Sequence, residues 1–505
     1  MIRSAGILLS FTSLPSPYGI GTMGKDARDF VDFLAEAGQT FWQILPIGPT
    51  GYGNSPYQAL SSYAGNPYLI DLDELVRDGL LKKSEITSVK WEKKPDHVDY
   101  GILYNERYKV LRKAAERLPL IHPQEYIDFI QKENSWLKDY AVFMAIKNDQ
   151  KGKPWTQWPE NLRRHEYEAV RNEAERLKEE VLFQERMQYL FFKQYYALKK
   201  YANAKGIQII GDLPYYIASD SADVWAHPEH FEMDGDHRMT FVSGMAPDGG
   251  NPGGQKWGNP LIAWDRLRND GYSWWISRVE FQTRLYDALR IDHFQGYASY
   301  YAVPAEDPDA SRGHWRKGPG VEVFRRMEER IGKRQLILED LGILTQELKD
   351  LVKESTFPGM RIMQYAFDPN DPGSYYMPFQ YIQNSVVYTG THDNDTLRGW
   401  KTDRNNKGRI DRCKAYLNIS SDKDFTWGVL SAVYGTVSDL AIVQMQDLLE
   451  LGSEARMNDP SGKTPAWTWR CLPGSFDKKL SAKLKEKMLL YCRNNWRAVT
   501  DPVKE

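Results

Sequence analysis

Short apolar runs, each closing on polar or glycine-rich residues, recur along this chain of 505 residues. Eight stand out: AGILLS (5–10), FWQILPIG (41–48), IQIIGDLP (207–214), LRIDHF (289–294), QLILEDLG (335–342), GMRIMQYAF (359–367), SVVYTGTHDND (385–395) and LAIVQMQD (440–447). Most are near-continuous rather than alternating, the pattern of parallel strands buried on both faces. Helical patterns lie between many of them, as in KDARDFVDFLAEAG (25–38) and GVEVFRRMEERIG (320–332). Strands alternating with helices make βαβ units, and eight such strands predict an α/β fold, a (β/α)8 barrel.

The spacing of the runs is uneven. About 160 residues separate the second from the third, far more than one crossover needs. Residues 80–200 are charged and helical in pattern and are read as a helical insertion. A second insertion, 213–287, reads as loop-rich and aromatic, and a third, 396–439, as short and mostly helical. DKKLSAKLKEKMLLYCRNN reads as a closing helix, with no run of alternating strands that would predict a C-terminal β-sandwich. Residues 1–505 are therefore read as one barrel carrying three insertions.

Composition narrows the function. A net charge of −2 gives no reason to expect nucleic acid or an anionic membrane. No stretch approaches the roughly 20 apolar residues of a spanning helix, and the N-terminal apolar run meets prolines too early for a signal peptide. Three cysteines, none in paired metal spacing, suit a reducing compartment: the cytosol, or an organelle's interior for a mature chain. The 16 Trp, 30 Tyr and 19 Phe supply flat faces with polar edges, which suit sugars.

In a barrel of this kind the chemistry sits where strands end at the C-terminal face. The third run ends in Asp212, the fourth in Arg290, Asp292 and His293, the fifth in Glu339 and Asp340, and the seventh in His392, Asp393 and Asp395. In LRIDHF, alternation puts Leu289 and Ile291 on one face and Arg290 and Asp292 on the other. That pair reads as a buried ion pair, as a nucleophile kept ionised by its arginine, or as both. Glu339 reads as a general acid, since an apolar strand end near other carboxylates raises its pKa; the plainer reading is a helix cap or a barrel-lining acid. His392 and Asp393 read as ligand contacts, and Asn394 and Asp395 as turn residues; the same acids would also suit a divalent metal. Carboxyls on neighbouring strand ends, about 5–5.5 Å apart, suit retaining glycoside chemistry. GIGTMG (19–24) matches a dinucleotide-binding glycine pattern, but no clean strand precedes it, so a tight turn explains it. The loop 48–72 falls on the same rim, with tyrosines placed to stack on sugar faces.

Together these stretches resemble the 4-α-glucanotransferases of the amylomaltase or disproportionating-enzyme type, glycoside hydrolase family 77. The resemblance spans essentially the whole chain and rests on GPTGYGNSPYQ, AGNPYLIDL, GDLPYYIASDSADVW, QKWGNP, LRIDHFQGY, LILEDLG and TGTHDNDT, in family order. It implies an α-amylase-superfamily barrel without a C-terminal β-sandwich. It implies Asp292 as nucleophile, Glu339 as acid/base and Asp393 as a third carboxylate holding the donor ring. It places Arg290, His293 and His392 near the cleaved bond, Asp212, Trp257 and Asn259 beside the cleft, and Tyr57 and Asn458 among sugar-contacting positions. The implied partners are α-1,4-glucans and maltooligosaccharides with glucose as an acceptor, and the family chemistry requires no cofactor or metal. Two stretches depart from the family pattern. APDGGNPGGQ (246–255) carries glycine and asparagine where aromatics are usual, and RMNDPSG keeps Asn458 but alters the loop after it. Two other functions remain open from the residues: glucan hydrolysis by the same carboxylates, and non-catalytic glucan binding.

Overall fold

The structure, a computed structural model, describes residues 3–51, 53–121, 123–247, 251–342, 344–462 and 465–494. Its strands in chain order are β1 (Ser4–Leu8), β2 (Phe41–Gln43), β3 (Gln208–Leu213), β4 (Phe241–Met245), β5 (Gln255–Pro260) and β6 (Ala288–Ile291). They continue with β7 (Ser299–Pro304), β8 (His314–Lys317), β9 (Leu336–Leu338), β10 (Gly359–Ile362), β11 (Ser385–Tyr388) and β12 (Leu440–Gln444). Each of the eight apolar runs supplies one strand of a closed parallel barrel, in the order β1-β12-β11-β10-β9-β6-β3-β2. Every barrel strand therefore lies between its predecessor and its successor among the barrel strands. Apart from the leading Gln208 these strands are buried throughout, which is why they read as continuous apolar runs.

Between β2 and β3 the helices Tyr108–Ile121, Pro123–Asp149 and Lys178–Ala204 form a packed group. Aromatic rings join this group to the barrel. Trp136 meets Phe192 with centroids 5.9 Å apart and meets Phe281, on the helix Ser273–Leu285, at 5.8 Å. One continuous apolar core consequently runs through barrel and helices. Among the described residues, no helix is long and apolar enough to cross a membrane.

A second sheet departs from the sequence expectation. Strands β5-β4-β7-β8 pair antiparallel, and β4 and β5 lie within the segment expected to be loop-rich. The physical reason is that β4 and β5 pair across a bulge between Val242 and Gly244 and the start of β5 is exposed, so neither shows a regular apolar period; β8, with His314, Trp315 and Lys317 exposed, shows none either. The sheet has its own small core of Val242, Tyr301, Val303 and Ala310. The altered loop 246–255 joins β4 to β5, and its residues 248–250 lie outside the described residues.

The helix Lys478–Leu490 packs on the helices Lys25–Glu36 and Phe425–Gly435 outside the barrel. Just beyond it, the fully buried guanidinium of Arg493 donates to the carbonyls of Ser4 at 2.8 Å, Tyr434 at 2.7 Å and Ser438 at 2.9 Å. It pins the start of β1 to the approach to β12. Truncating it orphans several buried carbonyls, each costing about 1–3 kcal/mol. Arg493→Ala is therefore expected to lower stability by about 3 kcal/mol or more, read as a lower urea midpoint at unchanged slope.

Candidate active site

Strand register builds the site. Asp212 on β3 lies opposite Arg290 on β6, and Leu338 on β9 lies opposite Ile291. One residue past those pairs, Asp292 and Glu339 emerge side by side at the C-terminal rim. Backbone bonds fix both: Asp292 N–H donates to Leu213 O and Glu339 N–H to Ile291 O, each at 3.0 Å. His293 then turns the chain with φ +46°, a left-handed conformation uncommon for a residue with a Cβ. That turn aims its N–H at Glu339 Oε2, 2.6 Å away.

Arg290 joins all three carboxylates. Its Nη1 donates to both oxygens of Asp212 at 2.7 Å and to Asp292 Oδ1 at 3.0 Å, while Nη2 lies 3.2 Å from Glu339 Oε2. The side chains of Arg290 and Asp212 are 3% and 0% exposed; those of Asp292 and Glu339 are 23% and 20% exposed. The inner pair is thus sealed, and the outer two carboxyls face the rim opening.

The two outer carboxyls titrate in opposite directions. Burial raises the Asp292 pKa, but the Arg290 charge and a hydrogen bond with Glu339 outweigh it and hold the group below the usual carboxylate value. Burial and the negative charge of Asp292 push Glu339 well above its ordinary value, against the pull of Arg290. The rim therefore carries one carboxyl that favours its ionised form and one that favours its protonated form. Burial also lowers the His293 pKa, so that imidazole is neutral there.

A wall of rings and amides stands on the β11 side. Tyr57 donates to Asp212 Oδ2 at 2.8 Å and stacks on His392 with centroids 5.1 Å apart. His392 Nε2 lies 3.3 Å from Asp393 Oδ2, and Asn458 Nδ2 donates to Asp393 Oδ1 at 2.6 Å. Asn394 folds back to accept from the Thr391 N–H at 2.8 Å, and Asp395 accepts from Ser453 Oγ at 2.6 Å. Those two residues hold the turn, leaving Asp393 exposed at its tip. On the opposite side the second sheet brings Trp257 to His293, with centroids 5.1 Å apart and rings nearly perpendicular. Asn259 is buried and braces that wall: it donates to Ile217 O at 2.9 Å and accepts from Ser243 Oγ at 3.3 Å. Asp340 faces away from the site, 3.2 Å from Arg361 Nη1. The one group of three metal-donor residues among the described residues lies elsewhere, at 227–230.

Comparison with known proteins fits this arrangement. A sequence model of the family described as 4-alpha-glucanotransferase matches residues 9–474. The chain belongs to the 4-alpha-glucanotransferase family. It is 43% identical to the 4-alpha-glucanotransferase of Thermus thermophilus, covering 96% of this chain and 97% of that one. It is 41% identical to the 4-alpha-glucanotransferase of Clostridium butyricum, covering 96% and 100%. An amylomaltase structure from Streptococcus agalactiae, solved in complex with acarbose, superposes with a TM-score of 0.94 at 38% identity, covering 97% of this chain and 100% of that one.

In this member of the family, the sequence-predicted residues Tyr57, Asp212, Arg290, Asp292, His293, Glu339, His392, Asp393 and Asn458 form one connected network, with Trp257 packed on its edge. Two neighbours escaped the sequence reading. Trp467 packs tilted against Tyr57 at 6.0 Å and His392 at 5.9 Å, and Arg456 Nη2 donates to Asp393 O at 2.7 Å. Both come from the C-terminal loop, whose aromatic and basic residues carry no strand-end position to mark them. Breaking the inner ion pair leaves an uncompensated buried charge, which costs about 3–5 kcal/mol. Arg290→Met is expected to destabilise by that amount and Tyr57→Phe by only about 1 kcal/mol, both measured by urea unfolding.

Proposed function

We propose that the site performs a retaining double displacement on α-1,4-glucans, moving a glucan segment to the 4-hydroxyl of glucose or of another glucan. The observation that carries the reading is the oppositely shifted pair Asp292 and Glu339, on adjacent strands around one buried arginine. Two carboxyls whose environments drive their pKa values apart divide into nucleophile and acid.

A carboxylate oxygen of Asp292 attacks the anomeric carbon of the donor. The bond from that carbon to the 4-oxygen of the next glucose breaks, and Glu339 gives its proton to the leaving oxygen. The glucan is then held as an ester on Asp292, and Glu339 is a carboxylate. It takes the proton of an incoming 4-hydroxyl, whose oxygen attacks the anomeric carbon and releases Asp292. Two inversions restore the starting configuration. Asp393, oriented by Asn458 and flanked by His392, is placed to accept hydrogen bonds from donor-ring hydroxyls. Tyr57 and Trp257 offer ring faces to neighbouring sugars. Water in place of the acceptor hydroxyl gives hydrolysis by the same chemistry. The three cysteines are unpaired, which suits work in a reducing compartment such as the cytosol.

Incubation with maltotriose tests the reaction: glucose together with chains longer than the substrate means transfer, and glucose plus maltose alone means hydrolysis. A bell-shaped pH profile is expected. Activity rises as pH climbs through the lowered Asp292 pKa and falls as it passes the raised Glu339 pKa. The roles separate on an α-glucosyl fluoride donor, whose leaving group needs no proton. Glu339→Gln is expected to lose about 10²–10⁴-fold on maltotriose yet still release fluoride in its first turnover, and Asp292→Asn to fail on both. Near-full maltotriose activity in Asp292→Asn overturns the mechanism.

A further inference from the structure

Beside the helical group, away from the rim carboxylates, a cleft of about 610 Å³ is lined by residues including Trp136, Asp139, His227, His230, Trp274 and Arg284. Nothing in the glucan chemistry uses it. His227 closes the short helix Ala222–Ala226, and His230 ends the following turn Pro228–His230. Pro228 fixes the backbone between the two imidazoles.

The donor atoms converge. His227 Nδ1 lies 3.1 Å and His230 Nε2 3.8 Å from Glu229 Oε1, and ligand atoms of the three residues all fall within 4.8 Å of one another. Tetrahedral ligands at the Zn–N and Zn–O distances of about 2.0–2.2 Å stand about 3.3–3.5 Å apart, so binding requires the two imidazoles, now stacked with centroids 5.6 Å apart and an interplanar angle of 25°, to turn toward Glu229. His230 is held by stacking on Trp274, with centroids 5.1 Å apart and an interplanar angle of 24°. On its other nitrogen, His227 Nε2 faces Asp139 Oδ2 at 3.4 Å. A carboxylate behind a histidine ligand fixes its tautomer and raises its basicity, and this arrangement recurs at protein zinc sites.

We propose that His227, Glu229 and His230 form a divalent-cation site suited to Zn²⁺, with Asp139 orienting His227 from behind. Two neutral imidazoles and two carboxylates balance the charge of the ion. The site ties the helix Pro123–Asp149 to the turn 228–230 that follows β3, so the ion acts as a staple rather than as part of the glucan chemistry. Without metal, the His227 ring lies between the carboxylates of Asp139 and Glu229 and can donate an N–H to each. The other titratable groups facing these imidazoles are His165 toward His227, and Asp270 and Arg266 toward His230.

The test uses the full chain stripped of metal by dialysis against EDTA, titrated with Zn²⁺ in a calorimeter and with Co²⁺ by visible absorption. One saturable equivalent is expected, with the absorption bands of tetrahedral Co²⁺ and a rise in Tm on Zn²⁺ addition. Glu229 is exposed, so Glu229→Gln removes a ligand without disturbing packing; it should weaken Zn²⁺ binding at least tenfold, and His230→Gln likewise. Asp139→Asn should weaken it by about 10–100-fold. No saturable binding, or binding unchanged in Glu229→Gln, overturns the proposal and leaves a metal-free ion pair of protonated His227 with Asp139 and Glu229.

Discussion

One guanidinium organises this molecule's chemistry. Arg290 is sealed at the barrel rim and faces three carboxyl groups with a single positive charge. Three carboxylates around one arginine leave excess negative charge in a poorly solvated place, and burial raises the pKa of Asp212 as well as that of Glu339. Asp212 is locked by two hydrogen bonds from Nη1 and a third from Tyr57, and Asp292 shares the same nitrogen. Glu339 has the longest contact with the arginine, and its pKa is pushed well above the ordinary carboxylate value. On the proposed mechanism, this opposite pull on Asp292 and Glu339 is what divides nucleophile from acid.

The barrel makes that arrangement possible, because its parallel register brings residues from three distant parts of the sequence to one level. Asp212, Arg290 and Glu339 come from β3, β6 and the end of β9, neighbours in the barrel. The insertions supply the walls. Tyr57 comes from the loop after β2, Trp257 from the second sheet, and Trp467 with Asn458 from the C-terminal segment. Rigid strand ends carry the carboxyl groups, and longer connections carry the aromatic surfaces around them.

What the sequence made legible divides along the same line. All eight barrel strands were readable because a strand buried on both faces leaves a continuous apolar run, and polar residues at its end then stand out. Asp292, Glu339, His392 and Asp393 were found this way, and the structure brings them together. The second sheet was not readable: β8 is mostly exposed, and the β4–β5 pair carries a bulge that breaks its period. Trp467 and Arg456 were missed for another reason. Their contacts with Tyr57 and Asp393 span hundreds and tens of residues respectively, and no local pattern records a loop folding back over the rim. The link between Arg290 and Asp212 was also hidden, because alternation along one strand shows which residues share a face but not what the neighbouring strand presents to them.

The central claim is that Asp292, held ionised by Arg290, becomes covalently bonded to the sugar. Trapping that bond tests it most directly. A fluorinated glucosyl fluoride forms the first ester but slows its breakdown, so the labelled chain can be digested and its peptides weighed. The account predicts one glycosyl adduct per chain, on the peptide containing Asp292. An adduct on Glu339 or Asp393, or complete turnover of the reagent with no adduct at any time, would contradict it.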